Sequence, residues 1–203
     1  MGLPKARNIE AAERLFDGLT GWQLANDTIS TYFDKNHANV EASIVVVKVV
    51  LISSLYYARI FEPLKMAVHI AGLQGLDSEL KNGDTKAVER IAHLDRYEVS
   101  FASKYAHFHN GDAFPILDNF ASGAVAILLG KSFNYTYPDF YNNISLLRQK
   151  SGLNSTDWRS FDKYLWLYGQ KKKSLDKGIS VNNEVTALYE STEGKILFDA
   201  LEP

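Results

Sequence analysis

The stretch Ile44-Val-Val-Val-Lys-Val-Val-Leu-Ile52 decides how the rest of the chain is interpreted, because it fits two different structures. A β-branched run that is apolar on every side is typical of a buried strand, but a buried helix has the same pattern. A strand needs neighbours to satisfy its backbone, and the other extended-looking pieces, 179–181 and 196–198, are short. The run therefore predicts a central helix that is covered by the core on nearly every side.

The segments on either side of this run have helical periodicity and are separated by isolated Gly and Pro residues. The predicted helices cover about 8–18, 22–34, 40–60, 62–74, 84–93, 97–109, 119–129, 138–150 and 156–171. The last of them has Ser155 or Thr156 as its expected cap, and it carries an apolar stripe that should face the core: Trp158, Phe161, Leu165 and Tyr168. We expect an all-α fold with a single domain over residues 1–203.

The composition excludes several classes of protein. The chain has no cysteine, which rules out disulfides, iron–sulfur clusters and thiolate zinc sites. It also has no Gly-rich nucleotide loop, so we expect no flavin and no other cofactor. Its apolar runs are too short to cross a bilayer and its N-terminus has no apolar signal segment, which predicts a cytoplasmic protein without a membrane partner. The formal net charge of −2 gives no basic footprint for DNA, although one face can still collect cations.

The residues that could carry chemistry lie between positions 100 and 118. Ser100, Lys104 and His107 are spaced to share one face of a helix, and His109 is near the end of that helix. Asp118 opens the next helix, after a glycine turn and an extended Pro-Ile-Leu. In a catalytic site, Lys104 would keep Asp118 ionised, and the carboxylate would hold a water or stabilise a cationic sugar. In a structural interpretation, Asp118 and Ser100 are helix caps, and the sequence leaves both interpretations open.

A metal site is a further hypothesis for the same region. His107, His109 and Asp112 carry the imidazole and carboxylate groups that metals accept. Side chains two residues apart on a helix point in different directions, so both histidines bind one ion only if the helix ends between them. We therefore predict no metal site.

This region resembles the helix-hairpin-helix superfamily of DNA glycosylases. Members of that superfamily carry a Lys or Ser at the head of one helix and an Asp eighteen residues later, and Ser100 and Asp118 have that separation. Phe114-Pro-Ile-Leu-Asp118 looks like the segment around the essential Asp of adenine glycosylases. Ile52-Ser-Ser-Leu-Tyr-Tyr-Ala-Arg59 is similar to the Leu-Ser-Gln-Gln-Thr region of the superfamily. The resemblance covers residues 40–130, which would form the glycosylase-like core.

The resemblance implies a compact multi-helix fold with a divergent hairpin, because Leu94–Val99 has no glycine. It also implies that Asp118 is the catalytic carboxylate of a DNA base-excision protein, with Ser100 and Lys104 beside it. Ser100 replaces the lysine nucleophile of bifunctional members, so the activity would be monofunctional and would use water. Val49 stands where adenine glycosylases have a carboxylate, so adenine is not the expected base.

The resemblance further implies a set of substrate-binding residues. His107 and His109 would contact a phosphate or a base, and Arg59 would approach the DNA backbone. Tyr57 would stack on a base, with Tyr56 and Tyr105 as the alternative stacking groups. The alternative hypothesis is a non-catalytic helical module that uses the same fold to bind protein or nucleic acid. The loss of the hairpin glycines and the mild acidity of the chain favour this alternative.

Overall fold

The structure, a computed structural model, describes residues 2–203. Within these residues the chain is helical and has no strand, only an isolated bridge between His93 and Tyr97. No helix in the described part is both long enough and apolar enough to span a membrane. The all-α prediction is confirmed. The α-helices are α1 (Ala6–Asp17), α2 (Thr20–Lys35), α3 (Ala42–Leu55), α4 (Pro63–Ala71), α5 (Leu76–Asn82), α6 (Lys86–Ala92), α7 (Val99–His109), α8 (Asn119–Leu129), α9 (Tyr137–Lys150), α10 (Trp158–Lys173), α11 (Asn183–Glu190) and α12 (Thr192–Asp199), and a 3-10 turn covers Leu175–Lys177.

The described residues group into two compact units. Unit 1 combines the residues up to Gln23 with Asp118–Pro203, and unit 2 is the continuous segment Leu24–Leu117. One boundary falls inside α2 and the other falls directly before α8. In sequence, unit 2 is therefore inserted between the two segments of unit 1.

The core of unit 2 is built around α3, which packs against α4 and α7. Val45, Val49 and Ile52 are fully buried. Residues 44–52 lie inside α3, so the prediction that the apolar run is a helix is confirmed. The prediction that its apolar residues are covered on nearly every side is wrong. Val47 and Val50 are 38% and 44% exposed, whereas Lys48, the one charged residue of the run, is fully buried.

The end of α3 was also placed incorrectly, at residue 60 instead of Leu55. Tyr57 adopts a left-handed backbone conformation with φ of 53°, which a continuing helix does not allow. The backbone N–H of Ile60 donates to Ser53 Oγ over 3.1 Å and fixes the chain in this turn. Pro63 then occupies the first turn of α4, where its missing N–H has no consequence.

In unit 1, α10 packs against both α1 and α8. The predicted apolar stripe of α10 is buried, as expected. The predicted cap is wrong: Asp157, not Ser155 or Thr156, caps the helix, and its Oδ1 accepts from the N–H of Ser160 over 2.8 Å. Gly169 allows α8 to approach closely, because a Cβ at this position would lie only 2.2 Å from the carbonyl oxygen of Phe120.

Three short helices, α5, α11 and α12, were not predicted. Helix α5 has seven residues between two glycines with positive φ, Gly75 and Gly83, so its pattern is too short to stand out. Helix α12 follows α11 directly and is capped by Ser191, whose Oγ accepts from the N–H of Gly194. The segment 196–198, which looks extended in sequence, lies in α12 and buries Phe198.

Candidate functional site

Helix α7 brings Ser100 and Lys104 together, as their spacing predicts. Lys104 Nζ donates to Ser100 Oγ over 2.8 Å, and the lysine side chain is buried in unit 2. Ser100 is the second residue of α7, and Glu98 occupies the cap position, so the interpretation of Ser100 as the cap is wrong. Ser100 serves instead as the hydrogen-bond acceptor for a buried ammonium group.

The two histidines of α7 point to different partners, as expected for residues two apart on a helix. His107 Nδ1 lies 2.8 Å from the carbonyl oxygen of Phe114; because a carbonyl only accepts, Nδ1 carries the proton. His109 Nε2 lies 3.1 Å from Asn39 Oδ1, in the connection between α2 and α3. Within residues 2–203, no three His, Asp or Glu side chains form a group that could hold a metal ion.

Ser103, which the sequence did not single out, fixes the extended segment that leads to Asp118. Its Oγ accepts from the N–H of Leu117 over 3.0 Å and lies 3.2 Å from the carbonyl oxygen of the same residue. Together with the bond from His107 to Phe114, this contact ties 114–117 along α7. The local order is therefore helix, turn, tethered extended segment and helix, as the sequence predicted.

Asp118 is the N-cap of α8, so the structural interpretation of this residue is confirmed. Its Oδ1 accepts from the N–H of Phe120 over 2.9 Å and from the N–H of Ala121 over 2.7 Å. Both bonds use Oδ1, so Oδ2 takes no part in the cap. Asp118 is the first residue of the second segment of unit 1, whereas Ser100 and Lys104 belong to unit 2.

Tyr57 and Arg59 lie on the connection between α3 and α4, and both side chains are exposed. Tyr57 is 64% exposed, and its positive φ costs about 1 kcal/mol in backbone strain. Phe61, on the same connection, is 84% exposed and was missed by the sequence analysis, although it is only two residues beyond Arg59. The connection therefore presents two aromatic rings and a guanidinium group to solvent.

A buried charged group of unit 2 is Lys48 of α3, which is 0% exposed. Its Nζ lies 2.9 Å from Asn39 Oδ1 and 3.3 Å from the carbonyl oxygens of His37 and Ala38. Among residues 2–203, no carboxylate forms an ion pair with this ammonium group. Asp77 is linked to it through Asn39, whose Nδ2 donates to Asp77 Oδ1 over 2.6 Å. Burial lowers the pKa of Lys48 to about 8, against the opposing attraction of Asp77.

The groups around Lys48 are perturbed by the same burial. The hydroxyl of Tyr105 donates to Asn39 Oδ1 over 2.5 Å, and burial raises the pKa of this tyrosine well above its usual value. Burial, with a further contribution from the nearby Lys48 charge, lowers the pKa of His109 well below its usual value. Lys48 was not singled out from the sequence, and this cluster was not predicted.

Comparison with known proteins finds a family model and a relative that match the chain. A family model named HI_0787_N and described as an N-terminal domain matches residues 8–113, slightly more than half of the chain. A protein of Haemophilus influenzae that is named only as an uncharacterized protein is 29% identical over 126 residues. That alignment covers 59% of this chain and 63% of the relative, so the chain spans less than two thirds of the relative's length. No solved structure matches the chain.

Proposed function

Because the chain belongs to the HI_0787_N family, whose description names no activity, its function has to be argued from its own residues, and we propose monofunctional base excision from DNA. In this proposal Asp118 is the catalytic carboxylate. The observation that carries the proposal is the geometry of Asp118: two backbone N–H groups fix Oδ1, and Oδ2 is left for chemistry.

The chemistry is hydrolysis of the N-glycosidic bond. The bond between C1′ and the base breaks, the electron pair leaves with the base, and the base takes up a proton. Water supplies the oxygen that bonds to C1′ and releases a proton. The carboxylate of Asp118 stabilises the positive charge that develops on the sugar or orients the attacking water, as carboxylates do in glycoside hydrolysis. A charge fixed in place before the reaction needs no reorganisation in the transition state.

The exposed connection between α3 and α4 supplies the proposed DNA contacts. Aromatic rings stack on unpaired bases with little sequence preference, and a guanidinium group binds phosphate. Tyr57, Phe61 and Arg59 offer these groups on one short segment. His107 and His109 use ring nitrogens for bonds within unit 2, so we assign them a positioning role instead of direct contact with DNA.

The second candidate function is DNA binding without catalysis. The observation that favours it is the burial of Lys104 and His107, which are already bonded to Ser100 and to the carbonyl oxygen of Phe114. These groups then maintain the fold of α7, and the exposed connection alone binds the nucleic acid. The two candidates agree on binding and differ only in whether a base is removed.

The deciding experiment compares wild type, Asp118→Asn and Asp118→Ala on DNA duplexes that each contain one damaged base. Asn is as good an N-cap as Asp, so Asp118→Asn should keep the stability of wild type within about 0.5 kcal/mol. Loss of the charge should reduce excision by about two powers of ten or more. Asp118→Ala should also lose excision and, in addition, about 1 kcal/mol of stability, because the cap is gone. Equal excision by wild type and Asp118→Asn would refute the catalytic role.

The binding step has its own test, which also identifies the second candidate. Tyr57→Ala should weaken binding to single-stranded DNA about tenfold, the effect of losing one stacked base. Tyr135→Ala is the matched control, because Tyr135 is also an exposed tyrosine but belongs to unit 1. If wild type binds DNA, Tyr57→Ala weakens binding and no duplex is cut, the non-catalytic function is correct. Equal affinities for Tyr57→Ala and Tyr135→Ala would remove the α3–α4 connection from both proposals.

A further inference from the structure

The number of N–H donors on the Lys48 ammonium group equals the number of oxygen acceptors around it. Its three N–H groups face three oxygens: the carbonyl oxygens of His37 and Ala38 and the Oδ1 of Asn39. All three acceptors belong to the connection between α2 and α3, residues 36–41. We propose that Lys48 is a proton-operated clamp, which holds this connection when the amine is protonated and releases part of it when the amine is neutral.

The donor count gives the mechanism. A neutral amine keeps two N–H groups and gains a lone pair, so it can no longer donate to all three oxygens. The two bonds to backbone carbonyls, at 3.3 Å each, are longer than the 2.9 Å bond to Asn39, so one of them is the bond that is lost. His37 and Ala38 are exposed, and a released carbonyl there can accept a hydrogen bond from water.

His109 makes the neutral state of the amine favourable. The nearer neighbour of His109 Nε2 is Asn39 Oδ1 at 3.1 Å, which only accepts, so we assign the proton of neutral His109 to Nε2; Lys48 Nζ lies 3.4 Å from the same nitrogen. Two donors therefore face each other while Lys48 is charged. Once Lys48 is neutral, this donor–donor contact is relieved, because the amine lone pair can share the Nε2–H of His109 with Asn39 Oδ1.

The other groups around the amine belong to α2, α5, α7 and the connection itself. Asp77 on α5 attracts the ammonium through Asn39, and the ring of Phe33 on α2 lies 5.0 Å from Nζ in a cation–π contact. On α7, His109 stays neutral because its pKa is lowered, and Tyr105 stays protonated because its pKa is raised. The imidazole of His37 is on the connection itself and is exposed. Lys48 is thus the group that changes charge in mildly alkaline solution, since burial lowers its pKa to about 8.

The test uses the full chain labelled with ¹³C and ¹⁵N and needs no identified ligand. Carbonyl ¹³C resonances of His37 and Ala38, detected without amide protons, are followed together with the Lys48 Cε resonance from neutral to alkaline pH. In wild type, Cε and at least one of the two carbonyls should move together with a midpoint near pH 8. The carbonyl of Asn134, in a connection of unit 1, is the internal control and should not follow that curve.

Two variants separate the clamp from a general response to pH. Lys48→Arg stays charged throughout, so the carbonyl transition should disappear. Lys48→Met has no amine, so the carbonyl ¹³C resonances of His37 and Ala38 in this variant should not shift with pH. Three results would overturn the proposal: a Lys48 Cε midpoint near that of an ordinary lysine, carbonyls that stay still while Cε titrates, or the same carbonyl transition in either variant.

Discussion

Replacing Gly169 with Ala should lower the free energy of unfolding by about 3 kcal/mol or more, at the upper end of what overpacking produces. An added Cβ would lie 2.2 Å from the carbonyl oxygen of Phe120 and 2.6 Å from its carbonyl carbon. Both atoms are backbone of α8, so the clash is relieved only if α8 and α10 move apart. The higher helix propensity of Ala, worth about 1 kcal/mol, is too small to compensate for that separation.

Gly123→Ala is the matched control, because Gly123 lies in α8 and faces α10 in the same helix pair. Its Cβ would meet the Cδ of Lys173 at 2.6 Å, and this long side chain can move away. The cost is the bond from Lys173 Nζ to the carbonyl oxygen of Asn119, so the net change should stay within about 1 kcal/mol. Urea unfolding of wild type and both variants measures the difference. Similar losses for Gly123→Ala and Gly169→Ala would show that backbone contact is not what limits this interface.

Helix ends that are marked by residue type could be predicted, and an end that is set by backbone conformation and a side-chain contact could not. Helix α8 was predicted over 119–129, its observed bounds, because Asp118 caps it and Gly130 ends it with positive φ. Helix α3 was predicted over 40–60, and its C-terminal end was placed five residues beyond Leu55. Its end depends on the left-handed conformation of Tyr57 and on the bond between Ile60 and Ser53, and the apolar pattern contains neither feature.

The same distinction applies to the candidate site, where some contacts follow from the local sequence and others do not. The pairing of Ser100 with Lys104 follows from helical spacing, and the cap formed by Asp118 follows from residue type. The partners of Lys48 come from α2, α5, α7 and the connection 36–41, and Tyr105 and Asn39 are 66 residues apart in sequence. A single lysine inside an apolar run gives no indication of which distant residues will surround it.

Burial of Lys48 predicts that the stability of the protein depends on pH, and the lowered pKa determines the direction of this dependence. An unfolded lysine has a pKa of about 10.4, whereas burial lowers the pKa of Lys48 in the folded protein to about 8. Between these values the unfolded chain binds more protons than the folded chain, so the free energy of unfolding rises with pH. Below pH 8 both forms are protonated, and the folded state retains the full penalty of a buried ammonium without a direct counter-ion.

Lys48→Met should therefore be as stable as wild type at neutral pH or more stable, by about 1–3 kcal/mol, because an apolar side chain has no charge to desolvate. His37 and Ala38 are exposed residues, so we expect their carbonyl oxygens to accept from water in this variant, and Asn39 Oδ1 keeps its bonds from Tyr105 and His109. The advantage of Lys48→Met should shrink by about 2 kcal/mol between about pH 7.5 and about pH 9.5, as the wild-type amine loses its proton. Urea unfolding at both pH values measures the change, and the exposed Lys35→Met on α2 should show none. A difference between wild type and Lys48→Met that is the same at both pH values would mean that Lys48 keeps an ordinary pKa, and the proton-operated clamp would then lose its physical basis.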